Sequence, residues 1–340
     1  MKKALITGIT GQDGHFLTAL LLSKGYDVHG LVRRNSQMQL GTLEHLPATD
    51  RARVKIHWGD LLDDAFVNQL VRTEAFDEIY HFASQSFVGL SFENPRATYD
   101  VNIGGTVSIV HAVKEHRLPT RIYFAATSEL FGKAQAVPQN ERTSFYPRSP
   151  YAVSKLAGFW TIKNYREAYG IYATNGILYN HESEYRGPEF VTRKMTIAAA
   201  RLSRGDTHPL KLGRLDAARD WGYAGDYVEG MWRMLQQPTP DDYVLATGVT
   251  HTVRAFADQA FRRAGIPLRW EGSGLQEVGR HADTGAPLIQ VDPAFFRPSE
   301  GELLVGDASH ARQVLDWRPT LSFGELVNRM VDKDLARLSS

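Results

Sequence analysis

Short apolar runs alternate along the first half of the chain with longer stretches whose apolar positions recur at helical spacing. Lys2 to Thr7 reads as a buried strand. Phe16, Leu17, Leu20 and Leu21 then mark one helix face, and Gly25 stops that helix. Further strands are predicted at Val28–Val32, Val54–Trp58, Glu78–Phe82, Arg121–Ala126 and Ala173–Tyr179. Helices are predicted over Pro95–Glu115 and from Tyr151 to about Tyr169. This alternation predicts an α/β fold with a doubly wound parallel sheet of Rossmann type. After Asn180 the alternation breaks. A polar loop over 180–189 leads to a helix near Phe190–Ser203. Helices follow near Tyr227–Leu235, Val253–Ala264, Ala308–Leu315 and Phe323–Leu335, with a strand at Tyr243–Ala246. The division predicts a large lobe from 1–179 and 221–250, and a smaller mixed α/β lobe from 180–220 and 251–340.

Composition narrows the partners. With 39 basic and 38 acidic residues the formal charge is +1, which gives no electrostatic case for nucleic acid or a membrane surface. The chain has no cysteine, so disulfides, thiolate catalysis and zinc–cysteine sites are excluded. No apolar run approaches the roughly 20 residues of a membrane helix. The first strand begins at once and leaves no room for a signal peptide, so a cytoplasmic protein is expected.

The first chemical motif is the turn after the first strand, Gly8-Ile9-Thr10-Gly11-Gln12-Asp13-Gly14. Strand, glycine turn and helix form the context of a dinucleotide fingerprint. Gly8 allows the tight turn, Gly11 a close approach by pyrophosphate, and Gly14 packing of helix on strand. The helix N-terminus offers N–H groups to phosphates. The GxxGxxG spacing is that of short-chain dehydrogenase/reductase enzymes. Arg33 and Arg34 end the second strand, where an acidic residue would favour NAD and an arginine suits a 2′-phosphate, so NADP is expected. A solvated basic turn is the plainer alternative. Asp60, beside Leu61, is placed either to accept from an adenine amino group or to cap a helix. Small residues after Phe82, in Ala83-Ser84-Gln85-Ser86, leave room for a cofactor.

Ser128, Tyr151 and Lys155 form the strongest catalytic constellation. Tyr151 and Lys155, four apart, share one helix face. An ammonium beside a phenol pulls it below its free pKa of about 10, which suits proton exchange with a sugar hydroxyl. The hydroxyl of Ser128 or Thr127 would hold the same oxygen. Glu129 adds a carboxylate that simple alcohol oxidation does not need. Beside a newly formed ketone it can remove the adjacent proton and help expel water, the pattern of an internal 4,6-dehydration. A surface capping role is its plainer reading. Arg186, Arg193, Lys194, Arg219 and Arg297 are candidate binders of a diphosphate. His81 and His181 have no metal-site spacing, and no metal is expected.

These motifs resemble the GDP-mannose 4,6-dehydratase family of extended short-chain dehydrogenase/reductases over nearly the whole chain. The matching stretches are Thr7–Gly14, Val32–Arg34, Phe145–Tyr151, Asn175–Ser183, Phe190–Lys194, Arg219–Gly222 and Phe296–Pro298. The resemblance implies NADP kept bound through turnover and a GDP-sugar substrate. It implies Thr127, Ser128, Glu129, Tyr151 and Lys155 as the catalytic group. Cofactor contacts are implied at Gly8, Thr10, Gly11, Gln12, Asp13 and Gly14. They extend to Arg33, Arg34, Asp60, Leu61, Phe82, Ala83, Gln85, Tyr151, Lys155, Leu178, His181 and Arg186. Substrate contacts are implied at Ser86, Glu129, Asn180, Val191, Lys194, Arg219, Arg297 and Glu300. A homo-oligomer, dimer or tetramer, follows, with the 33–36 loop reaching a neighbouring cofactor site. Departures from the family pattern are Ala126, Asn102-Ile103-Gly104-Gly105, Tyr179 and Glu184-Tyr185. A place beside the sugar for Glu184-Tyr185 would keep a GDP-manno-heptose dehydratase open. A 4-keto reductase or epimerase would not require Glu129, and a non-catalytic NADP sensor would need neither it nor Tyr151 and Lys155.

Overall fold

The computed structural model describes residues 1–34, 36–295 and 303–339. The large lobe opens with β1 (Lys3–Thr7), α1 (Gln12–Ser23), β2 (Asp27–Val32), α2 (Ala48–Arg51), β3 (Lys55–Trp58) and α3 (Asp64–Glu74). It continues with β4 (Glu78–His81), α4 (Val88–Glu93), α5 (Pro95–Tyr99), α6 (Gly105–Glu115), β5 (Arg121–Ala125), α7 (Pro150–Tyr169) and β6 (Ala173–Leu178). β1, β4 and β6 are buried almost throughout, as strands covered on both faces must be.

The predicted Pro95–Glu115 helix is two helices joined by a π-turn at Asp100–Gly104. Asn102 in that turn gives its side chain to Gln85 and Ser154, and its carbonyl accepts from the Thr106 hydroxyl. The short helix α4 and the strands of the smaller lobe carried no strong pattern in the sequence.

The second half crosses between lobes. β7 (Asn180–Glu182), α8 (Val191–Ser203), β8 (Leu210–Leu212) and β9 (Ala218–Tyr223) begin the smaller lobe. α9 (Ala224–Met234) and β10 (Asp242–Leu245) return to the large sheet. β11 (Thr250–Thr252), α10 (Val253–Arg263), β12 (Leu268–Glu271), β13 (Val278–His281) and β14 (Pro287–Val291) follow, then α11 (Ser309–Leu315) and α12 (Phe323–Arg337). The large sheet runs β10-β6-β5-β4-β1-β2-β3 and is parallel throughout. Two small sheets, β11-β9-β7 and β12-β13-β14-β8, serve the other lobe.

Each lobe has its own core. Leu5, Ile79, Tyr123, Ile177 and Val244 belong to the larger one; Trp221, Phe256, Phe261, Ile289 and Met330 belong to the smaller. Leu304, Ala308, Ala311, Leu315 and Trp317 pack into the larger core, although the sequence division puts 303–317 with the smaller lobe. Among the described residues no helix is long and apolar enough to cross a membrane.

Candidate active site

The strand order reverses beside β1, which pairs with β2 on one side and β4 on the other. Ligands of open α/β sheets bind at the carboxyl ends of strands flanking such a point. A cleft of about 980 Å³ opens there and runs into the smaller lobe.

The glycine turn forms its floor. Gly8 has φ +73°, and a Cβ there would stand 2.8 Å from the Ala83 nitrogen. A Cβ on Gly14 would meet the Ile9 carbonyl oxygen at 2.3 Å, so glycine is what lets α1 start against the turn. No side chain caps α1, whose N-cap is Gly11. The first-turn N–H groups and the close backbone therefore fit a dinucleotide pyrophosphate.

Thr10, Gln12, Asp13, Phe82, Ala83, Leu178, His181 and Arg186 line the same cleft. Five predicted cofactor residues stand outside that lining. Arg33 and Arg34 are exposed beyond β2. The Asp60 carboxylate accepts from the Leu62 N–H within the turn, whereas α3 is capped by Asp63, so Asp60 is not the helix cap; Leu61 is buried near Gly105. Gln85 spends its side chain on the Phe87 backbone and Thr98.

Thr127, Ser128, Glu129, Tyr151 and Lys155 come together across the cleft from the glycine turn. The first three follow β5, where Thr127 caps a 3₁₀ turn by accepting the Glu129 N–H at 3.2 Å. Ser149 caps α7 by accepting the Ala152 N–H at 3.1 Å, Pro150 starts the helix, and Gly170 ends it with left-handed φ. Tyr151 therefore sits in the first turn. The Thr127 side chain acts on the Tyr151 phenol and favours the ionised form.

The expected electrostatics of the pair do not hold. Burial pushes the Tyr151 phenol up to about 12, and the Glu129 and Asp13 charges push the same way; the Thr127 hydrogen bond and the Arg186 charge oppose them. Burial also draws Lys155 down to about 7, against the pull of Asp13. Lys155 Nζ donates to the Ala125 carbonyl at 2.9 Å instead of serving the phenol directly. Desolvation of both groups outweighs their shared helix face.

His81 lies beneath this group, bonded to Thr7 at 2.7 Å and Thr106 at 3.2 Å. Burial, then the Lys155 charge, holds it down at about 3, so it is neutral. His29, His57 and Glu74 also cluster, and none of them lines the cleft. The two imidazoles meet Nδ1 to Nε2 at 2.8 Å with rings 14° apart and centroids 5.1 Å apart. Rings aligned end to end in this way form an N–H···N hydrogen bond.

Ser86 from the large lobe and Asn180, Val191, Lys194 and Arg219 from the smaller lobe line the cleft; Arg297 and Glu300 lie outside the described residues. Arg186 stacks on Phe190 at 3.6 Å and pairs with Glu182 at 3.1 Å, whereas Arg193 is buried against Asp334 in the lobe's interior. Glu184 is turned away from the cleft and bonded to Arg329 at 3.0 Å. Tyr185 stays at the rim, packed on His15 and His45. Sequence reasoning missed Lys211 and Phe295, which also line the basic end, and nothing in their local pattern marks them. It also missed the clamp made by Asn102, for which the adjacent Gly104-Gly105 was the available sign.

A glycine-turned parallel sheet facing a tyrosine and lysine on one helix belongs to the short-chain dehydrogenase/reductase class of Rossmann-type enzymes. Solved structures agree on the fold: UDP-glucose 4-epimerase from Thermotoga maritima superposes with a TM-score of 0.81 at 18% identity, covering 99% of each chain. Within that class the chain belongs to the GDP-mannose 4,6 dehydratase family, whose sequence profile matches residues 5–330. It is 50% identical over 344 residues to the GDP-mannose 4,6-dehydratase of Sinorhizobium fredii, covering 99% of this chain and 97% of that one. It is 47% identical over 338 residues to the GDP-mannose 4,6 dehydratase of Homo sapiens, covering 98% and 91%.

Proposed function

We propose that this chain converts GDP-D-mannose to GDP-4-keto-6-deoxy-D-mannose with NADP retained through turnover. The single observation that carries the reading is Glu129 beside Tyr151 and Thr127, in one cleft with the glycine turn. When bound, the dinucleotide would supply a reversible two-electron hydride acceptor for oxidation at C4 and reduction at C6.

The chain's own residues move the protons. Tyr151 takes the O4 proton as its phenolate, the form that Thr127 and Arg186 favour and burial opposes. The new C4 ketone acidifies C5. Glu129 removes the C5 proton, and the C6 hydroxyl leaves as water with Glu129 or the Thr127 and Ser128 hydroxyls assisting. A proton then returns to C5, so the net change is loss of one water.

Cofactor contacts fall to the glycine turn, Phe82, Ala83, Leu178 and Arg186, with His181 held on Asp13 in the same cleft; Arg33 and Arg34 select the 2′-phosphate. Asn180, Val191, Lys194 and Arg219 hold the GDP-sugar with Ser86. Arg297 and Glu300 belong to the same substrate group. A cytoplasmic homo-oligomer, dimer or tetramer, completes the reading.

Incubation of the protein and NADP+ with GDP-mannose, followed by mass spectrometry, should show loss of one water. A parallel incubation with GDP-manno-heptose tests the roomier substrate. Failure on both would return the assignment to a 4-keto reductase or epimerase. Replacing Arg33 and Arg34 by alanine should weaken NADP+ binding at least tenfold and leave NAD+ binding within about twofold; equal losses would remove the case for NADP.

A further inference from the structure

The turn that receives the dinucleotide carries a carboxylate of its own. Asp13 stands in the first turn of α1, where an acidic residue ordinarily complements the helix dipole. Here that helix end faces a cleft suited to pyrophosphate, so a lone carboxylate would compete with the ligand for the same field. The Asp13 carboxylate is already engaged from the other lobe. His181 Nε2 lies 3.0 Å from Asp13 Oδ2, and His181 Nδ1 lies 2.8 Å from the Tyr179 carbonyl oxygen. The Tyr179 carbonyl accepts, so Nδ1 donates; with Asp13 held ionised, Nε2 donates as well and the imidazole carries its second proton. Moving that proton onto Asp13 would leave the pair's total charge at zero.

Docking of α1 against β7 does not require this charge. Gln12 Nε2 donates to the His181 carbonyl at 3.1 Å, and Ser183 donates to Gln12 Oε1 at 2.8 Å. Partly desolvated ion pairs are weak sources of stability. The pair's distinguishing property is electrostatic: it removes a negative charge from the dinucleotide turn.

We propose that His181 is a positioning residue whose imidazolium cancels the Asp13 carboxylate, so that the first turn of α1 accepts a dinucleotide pyrophosphate. This rests on the nicotinamide dinucleotide reading above. The groups around the pair are Gln12 and Asp13 on α1, Tyr227 of α9 stacked on the imidazole at 4.7 Å, and Arg186 paired with Glu182. Lys155 and Tyr151 on α7 also feel the Asp13 charge. Burial pulls the imidazole down, but Asp13 raises it overall; burial pushes Asp13 up, but His181 lowers it overall. Loss of the shared proton leaves a net negative charge at the turn.

The test is a cycle of His181→Gln, Asp13→Asn and the double variant in the full-length protein, with NADP+ affinity measured by calorimetry from pH 6 to 9.5. His181→Gln should weaken binding tenfold or more at pH 7. Adding Asp13→Asn should restore affinity to within about threefold of the parent. The parent should lose affinity as the pH passes the His181 ionisation, and Asp13→Asn should flatten that limb. A double variant as weak as His181→Gln alone would overturn the proposal, because His181 would then act by direct contact. Histidine NMR titration without nucleotide separates the two readings. His181 should ionise above a free histidine and fall when Asp13 becomes Asn; ionisation below a free histidine would also overturn the pair. If the parent binds neither NADP+ nor NAD+ while this titration behaves as expected, the dinucleotide reading fails and the charge pair stands.

Discussion

Burial leaves the Lys155 side chain near the midpoint of its titration at neutral pH. In the unfolded chain its amine ionises near 10.4. Between about pH 7 and 10.4 the unfolded state therefore binds the extra proton, and this group's contribution to stability rises with pH. Below that window both states are protonated and the full cost of the buried ammonium is present. Lys155→Met should accordingly raise the melting temperature at pH 6, by an amount equivalent to roughly a few kcal/mol, and this gain should shrink towards pH 10. Thermal unfolding without nucleotide at both pH values checks it; equal shifts would contradict the argument. Glu129→Gln should lower water loss from GDP-mannose by about 100-fold or more and leave NADP+ affinity unchanged. Full turnover in that variant would remove Glu129 from the chemistry. Glu129, Tyr151 and Lys155 were legible because their motifs are local. The pKa of Tyr151 was not, because a shared helix face carries no information about desolvation or about Arg186, thirty-five residues downstream.

Two short elements hold the reacting groups in place. Ser149 anchors the start of α7, and Tyr151 lies in the turn that the cap secures. Ser149→Ala should cost about 1 kcal/mol of stability and lower kcat more than it raises KM; chemical denaturation and steady-state kinetics together check both parts. Gly8→Ala forces a side chain into left-handed backbone and against the Ala83 nitrogen. It should destabilise the protein by roughly 1–3 kcal/mol and abolish dinucleotide binding, measured by the same denaturation curve and a binding titration. The central strands were readable because burial on both faces makes them continuous apolar runs. β7, β8 and β11 have three residues each, too few to show a period. β9 was hidden by Arg219-Asp220, although Asp220 is fully buried and accepts from Thr247 and Gly248.

The lobes are tied by chain that passes repeatedly between them. Trp317 follows α11 and packs into the large core, with its indole donating to the Asp226 carbonyl at 2.7 Å. Trp317→Ala should cost about 3–5 kcal/mol and lower the urea midpoint of the whole protein, read by intrinsic fluorescence. The alternation of the first half stops after Asn180, but the packing of 303–317 into the large core depends on contacts between residues far apart in sequence. β10 shows the same dependence most sharply. It closes the large sheet beside β6, and its Asp242 accepts both forks of Arg166 at 2.9 Å and the Asn175 amide at 2.9 Å. A fragment ending at Tyr179 would contain the glycine turn and the tyrosine–lysine pair, yet expose β6 as a bare edge with two side chains deprived of their acceptor. Such a piece invites edge-to-edge association. The nucleotide half is therefore not a module that could be cut out and transplanted.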